Sequence, residues 1–189
     1  NTNAGTNAGN SFSGTDATDN TLIGYDSGTA ITTGDNNTAV GSYALDANTT
    51  GTNNTAVGKN ALTAVTTGER NSALGMNALG GSGTGVTNNT ALGVNALYNT
   101  TGSSNTACGD AALYTNTSGA NNTAMGRNAL FANTTGEQNI AVGNYALDAS
   151  TTGGYNTALG YDALGANTTG AYNVAVGANA LDANTTAAN

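Results

Sequence analysis

The side chains that could carry acid–base or nucleophilic chemistry are few in this 189-residue sequence. There is no His and Cys108 is the only cysteine, so the usual groups for nucleophilic catalysis and metal binding are missing. The carboxylates Asp46, Asp148 and Asp182 recur at one place in a repeat but are far apart in the chain, which does not favour a paired acid and base. We therefore expect no enzymatic activity, no cofactor and no metal site.

Three other patterns suggest binding or modification. Asn-x-Thr/Ser sequons recur at one corner of the repeat and are candidate glycosylation sites, although Asn and Thr also form good turns. These sequons begin at Asn48, Asn99, Asn116, Asn133, Asn167 and Asn184. Regular Thr arrays could bind ice, but the paired Thr residues are adjacent and should diverge. Tyr and Phe side chains could stack on a cell-surface glycan, although they occupy several places in the repeat, which favours surface packing.

One short motif organises the chain, and it is best seen at Asn37-Thr38-Ala39-Val40-Gly41. Its copies begin at Asn20, Asn37, Asn54, Asn71, Asn89, Asn105, Asn122, Asn139, Asn156 and Asn173. The spacing is 17 residues throughout, except for one spacing of 18 followed by one of 16. A fixed short period is typical of stacked repeats, and the Thr, Asn and Gly content opposes helices. The sequence therefore predicts an all-β fold, a β-solenoid (β-roll or β-helix) of about ten 17-residue coils.

Alternating side chains in the motif predict a strand with two unlike faces. The Thr position becomes Ile140 and Val174 in two copies and the Val position accepts only apolar residues, so we expect both to face the coil interior. The Ala between them should then face outward. The predicted structural core is Val40, Val57, Leu74, Leu92, Cys108, Met125, Val142, Leu159 and Val176. Cys108 is interpreted as a small buried apolar residue and not as a reactive thiol.

Glycine follows every copy of the strand motif, where it usually supplies a positive φ or a close backbone approach. The predicted corner glycines are Gly41, Gly58, Gly75, Gly93, Gly109, Gly126, Gly143, Gly160 and Gly177. The Ala44-Leu45 pair and its equivalents are predicted to form the next strand, in which one of the two side chains must point away from the interior. If Ala fills the interior, Leu forms a ridge outside. Thr49-Thr50-Gly51 and its equivalents are predicted to form a second corner.

Two segments are predicted from the fit to the repeat. Residues 1–19 fit poorly and should form an irregular N-terminal cap or linker, and residues 20–189 should form the solenoid. The absence of an initiating Met and the ending inside a repeat indicate a piece of a longer chain or an array that abuts another copy. The net charge of −8 and the scattered basic residues exclude nucleic acid as an expected partner. No apolar run is long enough to predict membrane insertion.

The Asn-Thr-Ala-Val-Gly, Ala-Leu and Thr-Thr-Gly elements resemble the head repeats of trimeric autotransporter adhesins. They look even more like the Asn-Thr-Ala-Val-Gly repeats of phage-type tail-fibre proteins and related bacterial surface proteins. The resemblance covers residues 20–186, although the adhesin repeat is shorter than 17 residues. It implies left-handed winding and a homotrimer, and the small apolar content of each coil also favours burial between chains.

The expected function is therefore a structural and adhesive segment, a shaft or a head, of an extracellular fibre on a virion or a cell surface. One alternative is a self-assembling filament in which solenoids join end to end. Another alternative is an ice- or glycan-binding solenoid. The expected partner is the chain itself, as a homotrimer or an end-to-end polymer, with a cell-surface glycan as a further candidate.

Overall fold

A computed structural model describes residues 1–12 and 16–188 of the chain. These residues contain eleven strands of three residues each and no helix. The strands are β1 (Thr2–Ala4), β2 (Thr21–Ile23), β3 (Thr38–Val40), β4 (Thr55–Val57), β5 (Ser72–Leu74), β6 (Thr90–Leu92), β7 (Thr106–Cys108), β8 (Thr123–Met125), β9 (Ile140–Val142), β10 (Thr157–Leu159) and β11 (Val174–Val176). From β2 onward, turns and bends connect each strand to the next.

All eleven strands form one parallel sheet whose strand order follows the sequence. The register aligns equivalent residues of the repeat, because Ala39 lies opposite Ala56 and Val40 lies opposite Val57. A chain that returns to the same place one strand further along winds as a solenoid. The structure therefore confirms the all-β solenoid of about ten coils that the period predicts.

The stack begins earlier than the sequence analysis predicts. β1 pairs in parallel with β2, with Thr2 opposite Thr21. The backbone N–H of Asn20 donates to Asn1 Oδ1 at 2.8 Å. Residues 1–12 thus contribute a regular strand to the stack, which the prediction of an irregular cap or linker did not include. The spacing of 19 residues between Thr2 and Thr21 hides this strand from a search at period 17. Residues 13–15 of the predicted cap, and residue 189 of the predicted solenoid, lie outside the described ranges.

The corner glycines have the positive φ that their positions predict. Values between +123° and +143° occur at Gly41, Gly58, Gly75, Gly93, Gly109, Gly126, Gly143, Gly160 and Gly177. A Cβ atom on Gly41 would lie 2.6 Å from the carbonyl oxygen of Gly58 in the next coil. Both the backbone conformation and the close approach of the coils therefore require glycine at this corner.

The two faces of each strand are the reverse of the prediction. The central Ala39 is fully buried, whereas Leu74 and Met125 are 50% and 46% exposed. The residues predicted as core instead lie on the outside of the coil, partly or largely exposed: Val40, Val57, Leu74, Leu92, Cys108, Met125, Val142, Leu159 and Val176. The prediction is therefore wrong, because apolar character alone does not identify the inner face when the interior has room only for a small side chain at this position.

The Ala-Leu segment is a turn and not a second strand. Tyr43 and Leu45 have φ values of +59° and +56°, in the left-handed region. Ala44 and Leu45 are both fully buried, because left-handed residues break the alternation that an extended strand imposes. The predicted outer Leu ridge therefore does not form. The inner column consists of Leu45, Leu62, Leu79, Leu97, Leu113, Leu130, Leu147 and Leu164.

Each coil has room for one large side chain between the strand and this turn. Most coils combine a strand Ala with a turn Leu, such as Ala39 with Leu45. The coil of β2 reverses the sizes, since buried Leu22 is combined with Gly28, where a Cβ would lie 2.8 Å from Leu22 Cδ1. A large side chain at the strand position is thus combined with a small one at the turn position, and the reverse. Because most coils place Leu at the turn, the strand contributes Ala to the interior and its Val points outward.

Buried Asn side chains close each coil and join it to the next. Asn37 Nδ2 donates to the Gly51 carbonyl at 2.9 Å, and the Asn54 backbone N–H donates to Asn37 Oδ1 at 3.0 Å. The same two contacts recur at other leading Asn residues of the motif. An amide suits this position because it carries both a donor and an acceptor. The recurrence of this Asn in the sequence does not by itself indicate that its side chain lies inside the coil.

Candidate interaction surface

The outward side chains of the sheet form two straight columns, which we call the Thr/Val strip. The first column is Thr21, Thr38, Thr55, Ser72, Thr90, Thr106, Thr123, Ile140, Thr157 and Val174. The second column is Ile23, Val40, Val57, Leu74, Leu92, Cys108, Met125, Val142, Leu159 and Val176. No member of either column is charged, and all are partly or largely exposed. The strip is therefore a continuous uncharged surface along the solenoid.

Thr hydroxyls on the strip differ from those at the corner. Thr49 Oγ1 donates to the Thr66 carbonyl of the next coil at 3.1 Å, and this contact recurs at other first residues of the Thr pairs. The second residue, such as Thr50, is exposed, so the pair diverges as predicted. On the strip, Thr38 and Thr106 are held through the backbone, since their N–H groups donate to the Asn54 and Asn122 carbonyls at 2.8 Å, and their outward hydroxyls are partly or largely exposed. They are available to water or to a partner.

Cys108 lies on the strip between Leu92 and Met125 and is half-buried. The interpretation of this residue as a core side chain is therefore wrong. Its neighbours in the sheet are apolar, and no basic side chain is its direct partner in the register. Cys108 is thus an apolar member of the strip whose thiol reaches the surface.

Aromatic residues form short stacks on other parts of the surface. Tyr98, Tyr114 and Phe131 each follow an inner Leu, and their ring centroids are 5.4 Å apart in two nearly parallel contacts. Tyr155 and Tyr172 form a second stack at 4.9 Å. The rings cover one another's faces, which leaves less ring surface for a sugar. The shared position after Leu is visible in the sequence and is the signal from which this stack can be predicted.

Two acidic side chains of the repeat are partly buried. Desolvation raises the pKa of the Asp46 carboxyl. The hydrogen bond that Thr63 Oγ1 donates to Asp46 Oδ1 at 2.5 Å lowers this pKa, but by less than desolvation raises it. Desolvation also raises the pKa of the Asp148 carboxyl, and the nearby carboxylate of Asp162 adds to this effect. Asp46 and Asp148 lie in the coils of β3 and β9, so the structure does not bring them together.

Most of the predicted sequons have an inaccessible Asn. Asn48, Asn116, Asn133 and Asn167 are fully buried, and Asn133 Nδ2 donates to Asn116 Oδ1 inside the solenoid. A glycan on any of these four amides is incompatible with the fold, so the proposed glycosylation is wrong there. Asn99 is exposed and Asn184 is partly exposed, and both remain candidate sites.

The extra residue of the 18-residue spacing lies away from the sheet. The register is kept across it, since Leu74 still lies opposite Leu92. Glycines at residues 80–85 absorb the insertion, and a shallow depression beside them is lined by Gly83, Thr84, Gly85, Val86 and Thr101. These lining residues include no charged side chain, and Thr101 Oγ1 donates a hydrogen bond to the Thr117 carbonyl.

Neither a membrane span nor a metal centre is evident in the described residues. They form no helix that could cross a bilayer. They also contain no group of three His, Cys, Asp or Glu side chains arranged to hold a metal ion. Comparisons with protein-family profiles, curated proteins and solved structures found no match.

Proposed function

We propose that this chain is a structural and adhesive segment, a shaft or a head, of an extracellular fibre. The observation that carries the proposal is the uninterrupted ladder of eleven parallel strands, each bonded only to its sequence neighbours. At about 4.8 Å per strand, such a ladder is a rod about 50 Å long that can be lengthened by adding coils. A rod of repeating coils suits a role in which length and a repeated outer surface matter.

Contacts between coils give the rod its rigidity. The Asn54 backbone N–H donates to Asn37 Oδ1 inside, and Thr49 Oγ1 donates to the Thr66 carbonyl at the corner. Backbone bonds such as Gly58 N–H to the Val40 carbonyl at 2.8 Å add a third line. Bending the rod would lengthen at least one of these three lines, so the coils resist bending in any direction.

The resemblance to adhesin heads and phage tail fibres extends the proposal to the assembly. It implies a homotrimer with left-handed winding, on a virion or a bacterial surface, where the exposed residues would contact a receptor such as a glycan. The alternative within the structural class is an end-to-end filament, in which the strand edge of one solenoid pairs with that of the next copy.

The mass in solution tests the assembly. Light scattering should give three times the chain mass of 18.3 kDa, and negative-stain images should show rods of uniform length. A monomer at every concentration would contradict the homotrimer. Particles that lengthen with concentration would favour the end-to-end filament.

A second candidate function is ice binding, which is favoured by the outward Thr column of the strip. Seven Thr residues stand in register at the spacing of parallel strands, including Thr106 between Thr90 and Thr123. The adjacent column is less regular, because Leu92, Cys108 and Met125 differ in size. Thermal hysteresis and ice-shaping assays on the wild-type chain would separate this function from the fibre.

A further inference from the structure

We propose that the Thr/Val strip is the surface on which a second copy of this chain packs. This inference rests on the proposed function, because it names the face through which copies of the fibre segment associate. Exposed aliphatic side chains carry the argument: Leu74 is 50% exposed, Leu92 43% and Leu159 47%. Contiguous apolar surface of this kind usually marks an interaction site in a protein of otherwise polar composition.

Charged residues lie beside the strip and not on it. Asp19 and Arg70 precede the leading Asn of their coils, and Lys59, Asp110 and Arg127 follow the corner glycine. All five are exposed. An uncharged centre with charged residues at its rim matches protein–protein interfaces, whose cores are depleted of charged side chains.

The strip is large enough to contribute most of one side of a stable interface. Ten rows at about 4.8 Å give a length of about 48 Å, and two columns about 7 Å apart give a width of about 12 Å with their side chains. The area is then about 600 Å², compared with about 800 Å² per partner in a standard interface. The flanking residues would supply the remainder.

The pitch of the rows favours a second copy over other partners. Another solenoid carries rows at the same spacing, so its side chains can fit between the rows along the whole strip. The unequal sizes of Val57, Leu74 and Met125 make the strip uneven, which suits interlocking side chains better than the flat order of an ice surface. A glycan would be expected to use polar side chains across its whole site, and only the first column, through its hydroxyls, supplies them.

Two exposed positions provide a matched test. Met125→Lys places a charge on the strip, and Thr135→Lys places the same charge on the exposed corner, away from the sheet. Both side chains are exposed, so both variants should keep the wild-type circular dichroism of the coil. We expect Met125→Lys to raise the dissociation constant of the assembly at least about tenfold, because the partner would bury an unpaired charge, and Thr135→Lys to leave it unchanged.

Cys108 offers an independent readout that does not depend on a charge. In the assembled wild-type chain its thiol should react with a maleimide at least about tenfold more slowly than in the same chain diluted below the dissociation constant of the assembly, because the partner covers it. Thr135→Cys in a Cys108→Ser background is the control, and its rate should not change on dilution.

The outcomes separate this inference from the proposed function. If the wild-type chain assembles but Met125→Lys keeps its mass and Cys108 reacts freely, the fibre segment stands and the strip is not its contact face. If the wild-type chain is a monomer at every concentration, the homotrimer and this inference both fail. If the wild-type chain is a monomer that shapes ice and Met125→Lys loses this activity, the strip is an ice-binding surface instead.

Discussion

The Asn48 side chain lies in the interior, where it is fully buried and both of its polar atoms lack a hydrogen-bond partner among the described residues. The preceding and following coils place Ile31 and Val65 at the same position. An unpaired buried amide is unfavourable, because it has lost its water and gained nothing in return. Asn48 therefore weakens the coil that it occupies.

Replacing Asn48 with Val should stabilise the protein. Asn48→Val removes the two unpaired atoms and matches Val65, so we expect the free energy of unfolding to rise by about 1–3 kcal/mol. Asn133→Val is the matched control, because Asn133 Nδ2 donates to Asn116 Oδ1 and to the Gly136 carbonyl, although its Oδ1 lacks a partner among the described residues. That change should lower stability, because two hydrogen bonds are lost and one unpaired oxygen is removed. Thermal or denaturant unfolding would measure both, and a loss of stability in Asn48→Val would show that its amide is satisfied, for example by a bound water.

Asp148 should make the stability depend on pH. Its pKa is raised in the folded chain, chiefly by desolvation, so the protonated form favours folding. The contribution of Asp148 is therefore fully present below the ordinary carboxyl pKa and is lost as the pH rises through the raised pKa. Asp148→Asn should increase the melting temperature at pH 7 and have little effect at pH 3. The gain should be below about 1 kcal/mol because the side chain is partly solvated, and the same change at the exposed Asp110 is the control.

Each coil combines a strand and a turn, and the sequence predicts them unequally well. The period and the corner glycines Gly41 and Gly58 predict the solenoid and its tight corner, because both depend on residues that recur without exception. The inner face is not predicted, since Ala39 and Val40 are both compatible with an interior until its width is known. The left-handed φ of Leu45 is also not predicted, because this conformation is uncommon outside Gly, Asn and Asp.

The exchange of sizes within a coil can be tested by moving it to another coil. Ala107 and Leu113 occupy the places that Leu22 and Gly28 fill in the coil of β2. Ala107→Leu alone should overpack the interior and lower stability by about 1–3 kcal/mol. Adding Leu113→Gly should restore part of that loss, with a coupling energy of about 0.5–3 kcal/mol.

A double-mutant cycle of unfolding free energies would measure the coupling. The cycle needs Leu113→Gly alone, which should be destabilised because it leaves a cavity in the inner Leu column. Additive effects of the two changes would mean that the side chains do not share one space.

The whole molecule is a one-dimensional stack, so its length should be adjustable by whole coils. Among the described strands each one pairs only with its sequence neighbours, which makes stability a sum over coils and the contacts between them. The sequence predicts this organisation well, since the spacing of the leading Asn residues is visible without a structure. It does not predict which surface faces other molecules, because that depends on the direction in which Thr38 and Val40 point.

Deleting residues 122–138 should remove one coil and leave the rest in register. Asn121 would then precede Asn139, whose backbone N–H would take the place of the Asn122 N–H beside Asn105 Oδ1. We expect a folded rod that is shorter by about 4.8 Å, with unfolding only slightly easier than in the wild-type chain. Deleting residues 122–130 instead removes β8 and the inner Leu130 but leaves half a coil, so the chain cannot return to the same place. That shorter deletion should be the more damaging one, because it breaks the Asn ladder, the Leu column and the sheet together. Circular dichroism melts and small-angle scattering would compare the two, and equal stability of both deletions would contradict a stack that depends on whole coils.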